Sequence, residues 1–210
     1  MADLPYPCLA LIADGFTHDD RADRAVTAVK AGVRWVHLRD HQASRDAFEA
    51  AARDLVPRLR DMASDVTVTV NTRLPVAQAH DTGLHLGWRG PSVEDAREAL
   101  DPGAMLGYSA HEEVGITGDR ALDVDYYFFS PVYETGSKPD QPPTGIGALR
   151  SFCQTAAPTP TIALGGIAPE RVRACREAGA EGVAVLSGIM DAEAPVAATR
   201  AYLRALGELA

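Results

Sequence analysis

The sequence predicts an α/β fold, a single (β/α)8 TIM barrel, and three observations support this prediction. Short apolar runs alternate with amphipathic helical segments along the chain. Strict alternation of strands and helices favours parallel strands joined by right-handed crossovers. The count of strands reaches eight, which closes a barrel, whereas a doubly wound open sheet usually has fewer. Because no linker or low-complexity segment interrupts the alternation, residues 1–210 are expected to form one domain.

The strands are predicted where short apolar runs end in small or polar residues. In chain order they are Cys8–Ala13, Val33–Leu38, Val66–Val70, Gly83–Leu86, Ala104–Tyr108, Asp125–Phe129, Thr161–Leu164 and Gly182–Leu186. The helices are predicted from apolar residues at helical spacing and from N-terminal capping residues. They are a helix that Asp19 caps and that runs to about Lys30, a long helix that Ser44 opens and that includes Leu59, Leu74–His80, a helix that Ser92 caps and that runs to Leu100, Glu112–Leu122, Gly145–Ala156, Pro169–Ala178 and Pro195–Leu209.

Composition and charge exclude several classes of protein. The net charge is −9 with no run of Lys or Arg, which argues against a nucleic-acid surface. The cysteines Cys8, Cys153 and Cys175 have no CxxC spacing and are interpreted as free buried thiols in a reducing compartment. The N-terminus lacks the features of a signal peptide, and no apolar run is long enough to span a bilayer. We therefore expect a cytoplasmic protein.

The carboxyl ends of the predicted strands carry a set of polar residues that suits an anionic substrate. In a (β/α)8 barrel these ends form the catalytic face. The set is locally cationic and rich in amides although the chain is acidic, and no acid follows strands three and four, so a magnesium site is poorly supported and no cofactor is expected. Its members are Asp14, Arg39, Asp40, His41, Asn71, Thr72, Arg73, Trp88, Arg89, Ser109, His111, Thr135, Lys138 and Ser187.

Two successive turns of small residues predict a phosphate site. Gly165-Gly166 follows the seventh strand, and Leu186-Ser187-Gly188 follows the eighth. The loops after these strands commonly bind phosphate in such barrels, and small residues let backbone N–H groups face a ligand. The alternative, that the glycines only turn a tight corner, is less favoured because both turns lie where the barrel places a phosphate.

His111 is the best candidate for an acid or base, because an imidazole titrates near neutral pH and this one follows the fifth strand. His37 and His85 lie within strands, where a structural role is favoured, and His41 could support the site. The long Pro-rich loop over residues 130–144 is expected to form a lid. It carries Lys138, a candidate counter-ion for an anion, although a solvated loop lysine is an equal alternative.

Together these residues resemble the thiamine phosphate synthase superfamily over nearly the whole chain. The resemblance rests on a series of motifs in the same order, namely His37-Leu38-Arg39, Val70-Asn71-Thr72-Arg73, Leu84-His85-Leu86-Gly87, Gly107-Tyr108-Ser109-Ala110-His111, Thr135–Lys138, Ala163-Leu164-Gly165-Gly166-Ile167 and Gly182–Ser187. The superfamily has two main branches. The synthase joins a pyrimidine pyrophosphate to a thiazole phosphate using magnesium, and the TenI-type tautomerase aromatises the thiazole phosphate precursor without a metal.

The chain departs from the synthase pattern at three places. His41 stands where the synthase has a Lys that contacts pyrophosphate. Thr72 and the segment Trp88-Arg89-Gly90 stand where it has the two acids that bind magnesium. The carboxyl-terminal third is similar to the tautomerase branch. That resemblance implies His111 as the acid/base residue and a substrate site formed by Arg39, Asn71, Thr135, Lys138, Gly165, Gly166, Leu186 and Ser187.

The sequence-based hypothesis is a metal-independent thiazole tautomerase that aromatises a carboxythiazole phosphate in thiamine biosynthesis. One alternative is a thiamine phosphate synthase, a transferase, with an altered metal site. Another is a non-catalytic regulator that binds thiazole or thiamine phosphates, and a phosphosugar isomerase is the weakest alternative. The expected partner is the small-molecule thiazole phosphate, with no nucleic acid and no membrane, and the resemblance implies a homo-oligomer.

Overall fold

A computed structural model of the protein describes residues 3–87, 90–111, 122–137 and 141–207. Eight parallel strands form a closed barrel in chain order, and the last strand pairs with the first. This confirms the predicted (β/α)8 barrel. The strands are β1 (Leu9–Asp14), β2 (Trp35–Arg39), β3 (Thr67–Asn71), β4 (Gly83–Leu86), β5 (Leu106–Ala110), β6 (Tyr126–Phe129), β7 (Thr161–Leu164) and β8 (Gly182–Val185).

Eight helices lie within the described residues and pack around the barrel. They are α1 (Asp19–Lys30), α2 (Arg45–Met62), α3 (Leu74–Ala79), α4 (Val93–Ala99), α5 (Gly145–Ala156), α6 (Pro169–Glu177), α7 (Ser187–Met190) and α8 (Pro195–Ala205). The sequence did not predict α7, a single turn after β8. Of the helix predicted over Glu112–Leu122, residues 112–121 lie outside the described residues.

The fifth strand is displaced from its predicted position. It runs over Leu106–Ala110 and not over Ala104–Tyr108. The amide of Ala104 is held in a turn by the carbonyl of Asp101, so the strand starts later. Pairing with β6 then continues to Ala110, which places Ser109 inside the strand.

The start of α1 and the end of α8 also differ from the prediction. Asp19 is the first residue of α1, and His18 is the N-cap. The negative charge of Asp19 interacts favourably with the positive end of the helix dipole. The last helix ends at Ala205, earlier than the predicted Leu209. Gly207, two residues later, has a φ of 88°, a left-handed conformation that cannot continue an α-helix.

Inward and outward positions alternate along each strand, as the period of a strand requires. Leu9, Leu11 and Val36 face the helices and belong to the large core between barrel and helices. A second cluster fills the interior of the barrel and forms the floor of the site described below. Its buried residues are Ala10, Ile12, Trp35, Met105, Tyr126, Phe128, Ile162 and Ala184.

Two expectations about the whole chain can be compared with the fold. The three cysteines are free thiols, although only Cys175 is buried while Cys8 and Cys153 are half-buried. Across the described ranges, no helix has both the length and the apolar character needed to cross a membrane.

Candidate active site

A cavity of about 450 Å³ opens at the carboxyl ends of the strands. Its volume is within the usual range for sites that bind small molecules. The sequence-predicted site residues that the structure describes all line it, namely Arg39, Asn71, His111, Thr135, Gly165, Gly166, Leu186 and Ser187. Lys138 lies outside the described residues. The structure therefore brings these residues together around one cavity, while their role as a binding or catalytic site stays a prediction.

The orientation of His111 is fixed by the loop after β6. Its Nδ1 atom lies 2.6 Å from the carbonyl oxygen of Ser130. A carbonyl oxygen can only accept, so Nδ1 carries the proton and donates it. In the neutral ring, Nε2 is then the free acceptor. His111 is consequently held in the tautomer that can remove a proton from a ligand in the cavity.

The turns after β7 and β8 include five cavity-lining residues whose backbone amides donate no hydrogen bond to any described residue. We call them the amide cluster: Gly166, Ile167, Ala168, Ser187 and Gly188. Three of them follow β7 and two follow β8, so two turns contribute to one surface. Unpaired backbone N–H groups that converge on a cavity form a site for an anion. This arrangement agrees with the phosphate site predicted from the sequence.

The glycine pair after β7 is also needed for packing. Gly165 and Gly166 have φ angles of 97° and 62°, which favour glycine. A Cβ on Gly165 would lie 2.7 Å from the Cα of Pro131, and one on Gly166 would lie 2.2 Å from the carbonyl oxygen of Glu134. The glycines therefore let the loop after β6 pack directly on the turn. The geometry supports the tight-corner interpretation, while the phosphate interpretation of this pair stays a prediction.

Arg39 is the main described cation that lines the cavity, and it is paired. Its Nε atom donates to Oδ1 of Asp14 at 2.8 Å, an ion pair between neighbouring strand ends. Partial burial and the charge of Arg39 lower the pKa of His41, against the opposite effect of Asp14 and Asp40. His41 is therefore mostly neutral at pH 7 without a ligand, and an anion bound beside it would raise its pKa.

Three described residues of the predicted polar set, Asp14, Asp40 and Arg73, do not line the cavity. Asp40 accepts from the hydroxyl of Thr17 at 2.6 Å and from two amides of its own turn. Burial acts to raise the pKa of Asp40, but these hydrogen bonds outweigh it and lower the pKa. Arg73 donates to the carbonyl of Ala43 and stacks on the ring of Phe48 at 4.3 Å. Asp40 and Arg73 thus stabilise the loops around the site.

His37 and His85 line the cavity, although the sequence favoured a structural role for both. Each is 2% exposed. His85 Nε2 lies 2.9 Å from Ser109 Oγ and its Nδ1 2.9 Å from the hydroxyl of Tyr126, while His37 Nδ1 lies 3.0 Å from Thr69 Oγ1. The two histidines are thus hydrogen-bonded parts of the cavity floor.

Burial keeps both of these imidazoles neutral. Burial lowers the pKa of His85 to about 3, and burial together with the charges of His85 and Arg39 lowers the pKa of His37. A signal for their position exists in the sequence. Arg39 was placed at the barrel mouth, and the residue two positions earlier on the same strand face is His37. In the same way, His85 lies two positions before Gly87, which follows the fourth strand, so His85 is on the strand face that leads to the cavity.

The donor set of the described lining does not fit a magnesium ion held by carboxylates. Among the lining residues in the described ranges there is no Asp or Glu. The described part of the chain also contains no group of three or more His, Cys, Asp or Glu side chains that could hold a metal. Thr72, where the resemblance places a synthase acid, has a φ of 56°, an unusual conformation for a β-branched residue. Magnesium prefers carboxylate oxygens, and the cavity offers imidazoles, hydroxyls and amides.

The sequence and the fold were compared with known proteins. The family model described as thiamine monophosphate synthase matches residues 9–189. The thiamine-phosphate synthase of Syntrophomonas wolfei is 36% identical over 167 residues, which cover 79% of this chain and 78% of that protein. The thiamine-phosphate synthase of Albidiferax ferrireducens is 36% identical over 197 residues, covering 91% of this chain and 89% of the relative.

Among solved structures, a thiamine phosphate pyrophosphorylase from Pyrococcus furiosus has the same fold with a TM-score of 0.81. It is 24% identical, and the match covers 95% of both chains. The names of the sequence relatives support the synthase alternative better than the tautomerase hypothesis, for which the comparisons give no support. With the matched family covering most of the barrel, the chain belongs to the thiamine monophosphate synthase family.

Proposed function

We propose that this protein binds a thiazole phosphate and catalyses a step of thiamine biosynthesis. The observation that carries the proposal is the amide cluster, in which unpaired N–H groups from two turns converge on one cavity. A phosphate bound there fixes one end of the substrate. Its binding energy then orients the heterocycle toward the side chains of the opposite wall, which include Arg39, Asn71 and His111.

We infer that the reaction is the one named for the relatives, the synthesis of thiamine phosphate. The family match and the 36% identity to two named synthases support this inference. The reaction joins a pyrimidine pyrophosphate to the thiazole phosphate and releases pyrophosphate. In this chain Arg39 and His41 line the cavity and would stabilise the negative charge of the leaving group. A bound anion favours the protonated form of His41. Because the described lining residues do not fit a magnesium ion, no step of the proposed reaction is assigned to one.

A second candidate, the thiazole tautomerase, is favoured by the state of His111. The Ser130 carbonyl holds its Nδ1 proton and leaves Nε2 free to accept one. In this reaction His111 removes the proton from the ring carbon that bears the carboxylate and returns a proton to the exocyclic carbon. The lining that lacks carboxylates in the described ranges also suits a reaction with no metal. Arg39 would stabilise the charge that develops on deprotonation.

One assay separates the two reactions. The purified protein is incubated with the carboxythiazole phosphate precursor, and separately with the aromatic thiazole phosphate plus the pyrimidine pyrophosphate. NMR follows the ring protons, and a coupled assay follows pyrophosphate, each with added magnesium and with a chelator. Release of pyrophosphate supports the synthase. Aromatisation alone, unchanged by the chelator, supports the tautomerase. Tight binding without either reaction supports a regulator, and absence of binding overturns the proposal.

A further inference from the structure

We propose that Tyr202 and Arg171, two residues outside the strand ends, position the amide cluster for phosphate. This inference rests on the proposed function, because it explains how the same phosphate site is held in place. Neither residue belongs to the set that the sequence predicted. Tyr202 comes from α8 and Arg171 from α6, so helices of the outer layer support a turn of the barrel.

Three consecutive carbonyl groups of the turn after β7 each accept a hydrogen bond from a different element. The carbonyl of Gly165 accepts from the amide of Tyr133 in the loop after β6, at 3.0 Å. The carbonyl of Gly166 accepts from Nη1 of Arg171 at 2.6 Å. The carbonyl of Ile167 accepts from the hydroxyl of Tyr202 at 2.9 Å. The carbonyls are thus all held from outside.

In a trans peptide the N–H points away from the carbonyl, and the residues of this turn line the cavity. The peptide whose carbonyl belongs to Gly166 carries the N–H of Ile167, and the next peptide carries the N–H of Ala168. These amides donate to no described residue. A peptide whose carbonyl accepts a hydrogen bond is more polarised and has a stronger N–H donor. The external donors therefore fix the orientation of the turn and strengthen its amides toward an anion.

Tyr202 also connects the two turns of the amide cluster. Its side chain is 2% exposed and lines the cavity. A Cβ added to Gly188 would lie 2.1 Å from its hydroxyl oxygen, so the tyrosine lies directly against the turn after β8 while it donates to the turn after β7. Burial raises the pKa of Tyr202 to about 12, so the hydroxyl keeps its proton at neutral pH.

Arg171 acts from the surface and is expected to contribute less. Its guanidinium lies 4.5 Å from the centre of the Tyr133 ring, so it ties the loop after β6 to the glycine turn. Because the bond lies at an exposed position, solvent and salt weaken it. The effect of removing it should therefore decrease at high ionic strength, whereas the effect of removing the buried Tyr202 hydroxyl should not.

The test compares the affinity for a thiazole phosphate with that for the corresponding thiazole alcohol, by calorimetry, in matched variants. Tyr202→Phe removes only the hydroxyl and should weaken binding of the phosphate about fivefold, since one hydrogen bond is lost. Arg171→Met should weaken it about threefold at low salt. Binding of the alcohol should be unchanged in both. The controls are Tyr127→Phe in the outer core and Arg173→Met, an exposed arginine on the same helix as Arg171.

The outcomes separate this inference from the proposed function. If the wild type binds the thiazole phosphate no more tightly than the thiazole alcohol, the assignment of the amide cluster as a phosphate site is wrong, and the proposed function fails with it. If the wild type prefers the phosphate and both variants keep that preference, the positioning role is wrong and the proposed function stands. A variant that loses affinity for phosphate and alcohol equally, with a lower melting temperature, also contradicts the positioning role. Because Arg171 is exposed, its variant tests the idea even if Tyr202→Phe does not fold.

Discussion

The two cores of this barrel differ in chemistry, and the difference separates stability from function. The core between strands and helices is built almost entirely from apolar side chains such as Leu59, Val70 and Phe152. The cluster inside the barrel is small, and its aromatic rings lie beside buried polar side chains. Most of the outer core lies away from the cavity, and Ile167, Val185 and Tyr202 are the members of that core that line it. The outer core therefore supplies most of the burial that stabilises the fold, and the inner cluster shapes the site.

Each polar group of the inner region is paired with another. The indole N–H of Trp35 donates to Thr69 Oγ1 at 3.1 Å, and the same hydroxyl contacts His37. His85 links Tyr126 to Ser109. A fully satisfied buried network is rigid and specifies one arrangement. The cost of burying polar groups under the cavity is thus offset by hydrogen bonds.

The largest expected effect on stability comes from the outer core. Phe152 is fully buried, stacks on Phe129 at 4.6 Å between ring centres and contacts Tyr127 edge-on. Phe152→Ala should lower the free energy of unfolding by about 3–5 kcal/mol, measured by urea denaturation, because it removes apolar burial and leaves a cavity. The affinity of the folded variant for a thiazole phosphate should not change. A loss of affinity at constant fold would contradict the separation of the two cores.

A substitution at the site should have the opposite pattern, with a loss of activity and unchanged stability. His111→Ala should slow tautomerisation by about 10²–10⁴-fold if the protein has that activity, since an acid or base catalyst contributes this much. The urea midpoint should stay close to that of the wild type, and phosphate binding should remain. NMR of the precursor measures the rate. A variant that turns over at the full rate would remove His111 from the mechanism.

An intermediate effect is expected on the pH dependence of the free energy of unfolding, which His85 of the inner region should influence. Since the pKa of His85 falls from 6.5 to about 3 on folding, the unfolded chain binds more protons below pH 6.5. Stability should therefore be full above pH 6.5 and fall as the pH decreases, by about 1 kcal/mol between pH 6.5 and 5.5 from this imidazole. In His85→Gln this part of the slope should disappear, as measured by urea denaturation at both pH values. An unchanged slope would mean that folding does not lower the pKa of His85.

The smallest expected effect comes from the backbone at the rim of the cavity. Thr72 has a φ of 56°, which strains a β-branched residue, and Asn adopts this conformation more easily. Thr72→Asn should stabilise the protein by about 0.5–1 kcal/mol. The same substitution at Thr67, within β3, should destabilise it because Asn is disfavoured in strands. Thermal unfolding of the pair tests this, and two changes of the same sign would rule out strain at Thr72.

The barrel and the position of the site could be predicted from the sequence because both depend on local patterns. Alternating strands and helices determine the fold, and the residues that follow each strand are brought together by closure of the barrel. Contacts between distant segments carry no such pattern. Tyr202 meets Ile167 across 35 residues of chain, and nothing near either residue indicates this.

Other differences arise because local sequence does not show where a side chain points. Arg73 and Asp40 follow strands as site residues do, but each is drawn into a loop by hydrogen bonds to its neighbours. The hydrogen bonds of His37 and His85 fit the structural role expected for residues within strands, but the sequence left open whether their side chains point into the barrel. Their inward direction follows from the strand period only once a neighbour on the same face is assigned to the cavity.

The most direct test of the central claim is an NMR titration of the ¹⁵N-labelled protein with a thiazole phosphate, with the thiazole alcohol as the control ligand. The claim is that the unpaired amides of the two turns hold the phosphate. The account predicts that the amide protons of Gly166, Ile167, Ser187 and Gly188 move downfield with the phosphate and stay in place with the alcohol. Shifts confined to other parts of the cavity, or the same shifts with both ligands, would contradict it.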